Sequence, residues 1–322
     1  MSSSILTNQS ALTALLSLNQ TQQTMNQFES QISTGLAISS AANNASYWSI
    51  ATSMTSDVGA LGAVSGALSE SSSMLTTSTA ALQSTISVMD AIKNDLTEAS
   101  NPGANMTAIQ TDITAQQQLL FSIGSSANFN GTNLLTNSST PSAGATPTAL
   151  GTVNLVASYN STGGTQAVSF ISLQTSFTSS TVPGTELFDG TAGATNAASA
   201  TGGILGTAGT NSGVSVLALN ISGDTAGSTA VANALADVET AITSITTAAS
   251  NVGSAQTNVT DQQTFISNLS ASLTEGVGSL VDADMNQAST EIAALQVQQQ
   301  LGVQALSIAN SNTDLILKLF GQ

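Results

Sequence analysis

Residues 61–96 read LGAVSGALSESSSMLTTSTAALQSTISVMDAIKNDL. Leu61, Leu68, Leu75, Leu82, Met89 and Leu96 stand seven apart, with Val64, Ile86 and Ile92 on or beside the same stripe. A seam that recurs every seven residues stays on one side of a slightly supercoiled helix, so the stretch reads as one long coiled-coil helix. Asn101-Pro102-Gly103 stops it. A second helix reads from about Met106 through Ile109, Ile113 and Leu120 to Ile123, by steps of three and four.

The C-terminal half repeats the device. Val238, Ile245, Val252, Val259, Ile266, Leu273 and Leu280 are again seven apart, widened by Val231, Leu235 and Ile242. The ends carry thinner stripes. Leu18, Met25 and Ile32 are spaced by seven near Leu15 and Phe28, and Met285, Ala288, Ile292, Leu295, Gln299, Gly302, Leu306, Ala309, Thr313, Leu317 and Phe320 follow in threes and fours. Thin apolar faces are marginal alone, so both ends are expected to be disordered in a free monomer and to order against partners.

The middle, about 136–229, is rich in Gly, Ser and Thr. Val153–Val156, Ala167–Leu173 and Val214–Leu219 read as strands, and 189–213 as a low-complexity loop. The fold class is therefore mainly α: long antiparallel coiled-coil helices from both chain ends, with a small β-rich insertion. The expected divisions are 1–45 with 281–322 (terminal helices), 46–135 with 230–280 (rod), and 136–229 (surface domain).

Composition narrows the function. The chain has 322 residues, no Cys, no His and two Lys+Arg, which are Lys93 and Lys318. That removes disulfides, thiolate and imidazole metal sites, and catalytic triads built on His. Nothing clusters to neutralise phosphates, so nucleic acid is not an expected partner. A net charge of −16 is repelled by anionic lipid, and no apolar run is long enough for a membrane span. No catalytic residue, cofactor or metal is assigned. The N-terminus does not resemble a cleaved leader. Charged residues are 6% of the chain, against about 25% in an average domain. Partner choice between such helices must come from shape and uncharged hydrogen bonds rather than flanking charges.

Gln31-Ile32-Ser33-Thr34-Gly35-Leu36-Ala37-Ile38, with Ser40-Ala41-Ala42-Asn43-Asn44-Ala45, resembles the flagellin N-terminal motif. Tyr47-Trp48-Ser49-Ile50-Ala51-Thr52 is similar to its alpha-proteobacterial form, and Phe129-Asn130-Gly131 to the turn closing the N-terminal helical region. Val281-Asp282-Ala283-Asp284-Met285, the stretch 298–306 and the final Leu315–Phe320 resemble the C-terminal region. The resemblance covers roughly 1–135 and 230–322 and leaves out the middle. It implies a flagellar filament subunit, exported without a cleaved signal peptide and extracellular. Its partners would be copies of itself, cap and hook-junction proteins, and an export chaperone on the C-terminal helix. On that reading Leu15, Leu18, Met25, Ile32, Ile292, Leu295, Leu306, Leu317 and Phe320 are subunit-interface residues. The two seven-residue runs, Leu61 to Leu96 and Val238 to Leu280, form the rod core.

Departures from the family lie in its cations. Gln31 and Ala37 stand where members usually carry Arg or Lys, so the salt bridges that help set register elsewhere cannot form. Asp90 stands in the stretch where enteric members present an Arg to an animal innate receptor, so weak recognition is expected. Charge repulsion between stacked copies should be relieved by acid, giving filaments that tolerate acid better than alkali. Asp282 with Asp284 reads as a solvated helix start rather than a Ca²⁺ site, and Glu186 with Asp189 as loop carboxylates rather than a glycosidase pair. Lys93 reads as a solvated partner of Asp90 and Asp95, and Tyr47 and Trp48 as packed at a helix join. The alternatives are a hook–filament junction protein and a surface adhesin with a ligand in the middle domain.

Overall fold

The computed structural model describes residues 8–136, 151–162, 165–176, 184–189, 197–200 and 202–320. The elements run α1 (Gln9–Thr34), α2 (Ala45–Ala99), α3 (Met106–Ser126), β1 (Asn128–Phe129), β2 (Thr132–Asn133), β3 (Thr152–Thr162), β4 (Thr165–Gln174), the one-turn α4 (Gly203–Gly206), α5 (Thr229–Val281) and α6 (Met285–Phe320). The chain forms two compact units, Met1–Gly59 with Leu269–Gln322, and Ala60–Asn268.

Helix ends follow the local chemistry. Asn8 and Asn105 accept from the amides of Ala11 and Ala108, capping α1 and α3. Asn44 accepts from the amides of Ser46 and Tyr47 at the start of α2. These side chains satisfy amides that the first helical turn leaves without a partner. Gly35 ends α1 at φ 74°, a left-handed cap that favours glycine. In the tight turn between β1 and β2, Asn130 and Gly131 both take positive φ, 49° and 84°, as a two-residue hairpin requires.

In the larger unit α2 and α5 run antiparallel. Gln256 donates to Thr76 at 3.0 Å, Gln263 to Ser69 at 3.4 Å, and Lys93 meets Glu239 at 2.9 Å. Leu61, Leu68, Leu75, Leu82, Met89 and Leu96 are buried, as are Val238, Ile245, Val252, Val259 and Ile266. Leu273 and Leu280, in the smaller unit, are half-buried.

The seam has a second row that the apolar pattern hides. Ser71, Ser78 and Thr85 are buried between Val64 and Ile92 at the same spacing. Each hydroxyl donates to the carbonyl four residues back, Ala67, Met74 and Ala81, at 2.9–3.0 Å. These groups are satisfied locally, so they occupy the core without leaving a polar atom unpaired. On α5 the second row is Ala234, Ala241, Ala248 and Ala255, all buried. Small residues on both helices build a thin seam. The hydroxyls of 71, 78 and 85 therefore belong to the core rather than to the polar flanks.

The middle departs from the strand expectation at one place. Val153–Val156 and Ala167–Leu173 lie in the β3–β4 hairpin. Val214–Leu219 does not form a strand: Val216–Ala218 is a turn of 3-10 helix. The side chains of α3 explain the difference. Gln117 Nε2 donates to the carbonyls of Val216 and Leu219 at 2.8 and 2.9 Å, Gln110 Nε2 to Leu219 at 3.2 Å, and Gln110 Oε1 accepts from the Ile221 amide at 2.7 Å. These glutamines take the backbone groups a neighbouring strand would have needed, while Val216, Leu217, Leu219 and Ile221 are buried. The region 189–213, read as loop, includes α4 and the 3-10 turn Ala197–Ser199; residues 190–196 and 201 lie outside the described residues.

Candidate assembly interface

The smaller unit carries most of the exposed large apolar side chains among the described residues. Within it α1 and α6 pair antiparallel: Asn8 Nδ2 donates to the Ala309 carbonyl at 2.9 Å, and Gln299 Nε2 to Gln22 Oε1 at 2.7 Å. Gly302 lets Leu18 Cδ1 approach to 3.3 Å of where a β-carbon would stand. The terminal helices thus find their first partner in the same chain, rather than waiting wholly for another copy.

Met25, Ala288 and Leu295 are buried in this pairing, while Leu18, Ile32, Ile292 and Leu306 are half-buried and Leu15 is exposed. The side chains of Leu317 and Phe320 lie outside the described residues. A second set faces outward and carries no partner within the chain's own seam: Leu12 at 55%, Leu16 at 62%, Leu301 at 58% and Ile308 at 63% exposure, with Val297 and Val303 beside them. The seven-residue spacing does not pick out this set, because these residues lie off the stripe. The signal available was a second apolar set at helical spacing, Leu12 with Leu16 on α1 and Val297 with Leu301 and Ile308 on α6.

The connectors of this unit bond to each other. Leu36 bridges Asp282, the Ala37 amide donates to Val281 at 2.8 Å, and the Ala283 amide to Gly35 at 2.9 Å. The 31–38 and 281–285 motifs therefore meet in space. Asp284 caps α6 through the amides of Asn286 and Gln287. No group of three or more metal-ligating side chains occurs among the described residues.

Tyr47 and Trp48 are 48% and 39% exposed, against the expectation that they are packed. Both rings lie on the first turn of α2, on a face that no other described element fully covers. With Ile50 at 49% exposure they form a further apolar face at the start of α2.

Charge placement also differs from the sequence reading. Lys93 pairs across helices with Glu239, which raises its pKa, and not mainly with Asp90 or Asp95. Asp95 instead accepts from Gln116 Nε2 at 2.8 Å; burial holds its pKa up, with Asp112 and Glu98 adding repulsion.

Residues 5–140 match the bacterial flagellin N-terminal helical region and residues 235–320 the bacterial flagellin C-terminal helical region. A flagellin of Brucella melitensis biotype 1 is 39% identical over 318 residues, covering 98% of this chain and 99% of its own length. The chain belongs to the flagellin family. Flagellin C of Rhizobium meliloti strain 1021 is 36% identical, with 98% of this chain and 99% of its own length covered. Flagellin FljM of Caulobacter vibrioides is 28% identical, with 98% of both covered. As a flagellin it is a structural subunit of the helical bacterial flagellar filament, which serves motility and lies outside the cell. The two matched regions take in α1 to β2, α5 from residue 235 onward, and α6, and the β3–β4 hairpin lies between them.

Proposed function

We propose that copies of this flagellin join through all faces of the paired terminal helices. The observation that carries this is the outward set on α1 and α6, more than half exposed in the single chain at Leu12, Leu16, Leu301 and Ile308. Leu15, Leu18, Met25, Ile32, Ile292, Leu295, Leu306, Leu317 and Phe320 act as the stripe that orders the inner tube. The outward set meets neighbouring copies. Burying the remaining exposed surface of each such side chain is worth roughly 1–2 kcal/mol before ordering costs. Contacts are head-to-tail, which generates an open helix rather than a closed ring.

In this reading residues 1–45 with 281–322 form the inner tube, 46–135 with 230–280 the rod around it, and 136–229 the outer domain. The rod core is Leu61 to Leu96 and Val238 to Leu280. The C-terminal stripe is covered by an export chaperone before secretion, the chain leaves without a cleaved leader, and cap and hook-junction proteins bind the same terminal surfaces. The chain acts by assembly and carries out no catalysis.

The test is reassembly. Purified protein is dissociated by heat, cooled, and followed by sedimentation and negative-stain microscopy, with and without short seeds. Long uniform filaments are expected from the unaltered chain. Leu12→Ser with Leu301→Ser is expected to abolish them while leaving the melting of the rod unchanged; filaments as abundant as those of the unaltered chain would overturn the assignment.

A further inference from the structure

The smaller unit presents two apolar faces at different places. One is the outward set of α1 and α6, with Leu12, Leu16, Leu301 and Ile308. The other is Tyr47, Trp48 and Ile50 on the first turns of α2. Their separation follows from the packing. Met54 Cε stands 2.9 Å from where a β-carbon on Gly276 would lie, so the start of α2 runs beside the last turns of α5. The connector that leaves α5 holds the end of α1, with the Ala37 and Ile38 amides both donating to the Val281 carbonyl. The aromatic face therefore sits at the connector end of the α1–α6 pair. Leu16 and Leu301 lie roughly 25 Å along the two helices from that end, at the ordinary helical rise. Within one chain the two faces are too far apart to cover each other.

Burying them in a polymer of like-oriented copies has a geometric condition. A face that met the same face of the next copy would need a two-fold axis, which an open head-to-tail helix lacks. Each copy must then carry two different surfaces, one to receive the other. The smaller unit holds such a pair. Tyr47 and Trp48 are the residue types that anchor interfaces, because each buries a large area with few rotatable bonds. The outward set is aliphatic and spread along two paired helices, so it offers a long apolar bed. Both faces lie inside the two regions that match the flagellin models, and flagellins polymerise with copies of themselves. The occupant is accordingly a second copy of this chain.

We propose that the aromatic face of one copy seats on the outward aliphatic set of the next, the two copies sharing one orientation and displaced by roughly 25 Å along the α1–α6 pair. This names the counterpart of the outward set and rests on the assembly reading above. Each copy gives its aromatic face to one neighbour and receives one from another, so the contact repeats without closing.

Trp48 is the chain's single tryptophan and cysteine is absent, which makes both readouts direct. Full-length protein is reassembled from seeds. In sedimented filaments Trp48 emission is expected to shift to the blue, with quenching by acrylamide at least threefold weaker than in the monomer. For the counterpart, filaments are grown from equal mixtures of two single variants and oxidised, Ser49→Cys with Ser17→Cys or Ser49→Cys with Gln304→Cys, all at exposed positions. A disulfide needs Cα atoms about 4.4–6.8 Å apart. Covalent dimers are expected from at least one mixture, at ten or more times the yield from Ser49→Cys alone, because displaced copies do not bring the same residue together. Filaments in which Trp48 emission and quenching match the monomer, in which no mixture links, or in which Ser49→Cys alone links as well as the mixtures, overturn the inference and leave the terminal-helix reading standing. A chain that never sediments overturns both. As a further variant, Tyr47→Ser with Trp48→Ser is expected to leave rod melting unchanged and to raise the protein concentration needed for filament growth at least tenfold; an unchanged concentration counts against the contact.

Discussion

Lys93 Nζ on α2 lies 2.9 Å from Glu239 Oε1 on α5, joining one of the chain's two lysines to the partner helix across the rod seam. Both side chains are about half exposed, so water screens the pair and its contribution to folding is small. Glu239 raises the Lys93 pKa above its ordinary value. A raised lysine contributes stability that is fully present below the unfolded pKa and lost only as pH rises through the folded one, well into alkali. Lys93→Met should leave thermal melting at neutral pH nearly unchanged. A large drop would mean that the pair sets the register of the two helices.

The rod core should behave in the opposite way. Leu75 and Leu82 are wholly buried. Leu82→Ala should cost about 2–5 kcal/mol in chemical denaturation, as a transfer loss plus a cavity. The exposed Leu16→Ala should cost under about 0.5 kcal/mol in the monomer while impairing assembly. Equal losses from both would mean that the terminal helices are as firmly held in the single chain as the rod.

Asp95 is a site where removing a charge should help. Burial is the largest cause of its raised pKa, and the Gln116 Oε1 atom is buried with no partner. A carboxylate with a raised folded pKa destabilises the fold once pH rises through that value. Asp95→Asn should therefore raise the melting temperature at pH 7, by up to about 1 kcal/mol in stability, by removing a partly buried charge and offering an amide donor to Gln116. The gain should shrink as the pH is lowered toward the carboxylate range. A melting temperature unchanged at both pH values would contradict this account.

Asp237 works the other way. Its carboxylate accepts from the Asn211 amide and side chain at 3.1 and 2.8 Å and from the Ser212 amide at 2.7 Å. Burial pushes its pKa up, but these bonds outweigh it and the net shift is downward. The loop's stability is then present above the ordinary carboxylate pKa and lost as pH falls through the lower folded value. Asp237→Ala should cost about 1–3 kcal/mol at pH 7 and speed hydrogen exchange at the amides of Asn211 and Ser212. Unchanged exchange would show that the loop is held by other contacts.

The turn Val216–Ala218 depends on Gln117, which holds two carbonyls at once. Gln117→Leu should cost about 1–3 kcal/mol, because each carbonyl loses its shorter donor and keeps a longer one, the Leu219 amide at Val216 and Gln110 at Leu219. Chymotrypsin cleavage after Leu217 or Leu219 should quicken. Cleavage at the original rate would place the stability of this segment in its apolar contacts instead.

The sequence by itself determined the long helices, their antiparallel return and the family. A seven-residue repeat needs only the spacing of side chains along one chain, and the stop at Asn101-Pro102-Gly103 is a property of those residues alone. It also located the β3–β4 strands, whose alternation is local. Tertiary structure decided what spacing cannot encode. Ser71, Ser78 and Thr85 count as core because their hydroxyls bond within the helix and leave a small surface for the facing helix. Val214–Leu219 has the pattern of a strand, but Gln110 and Gln117, about a hundred residues earlier, hold its backbone as a 3-10 turn. Lys93 has acidic neighbours in sequence and a nearer one in space. Tyr47 and Trp48 stay exposed because no described element closes over the start of α2. Apart from those hydroxyl bonds, which close four residues back, the deciding partner is distant along the chain or missing from its surroundings, and proximity of that kind exists only once the helices have packed.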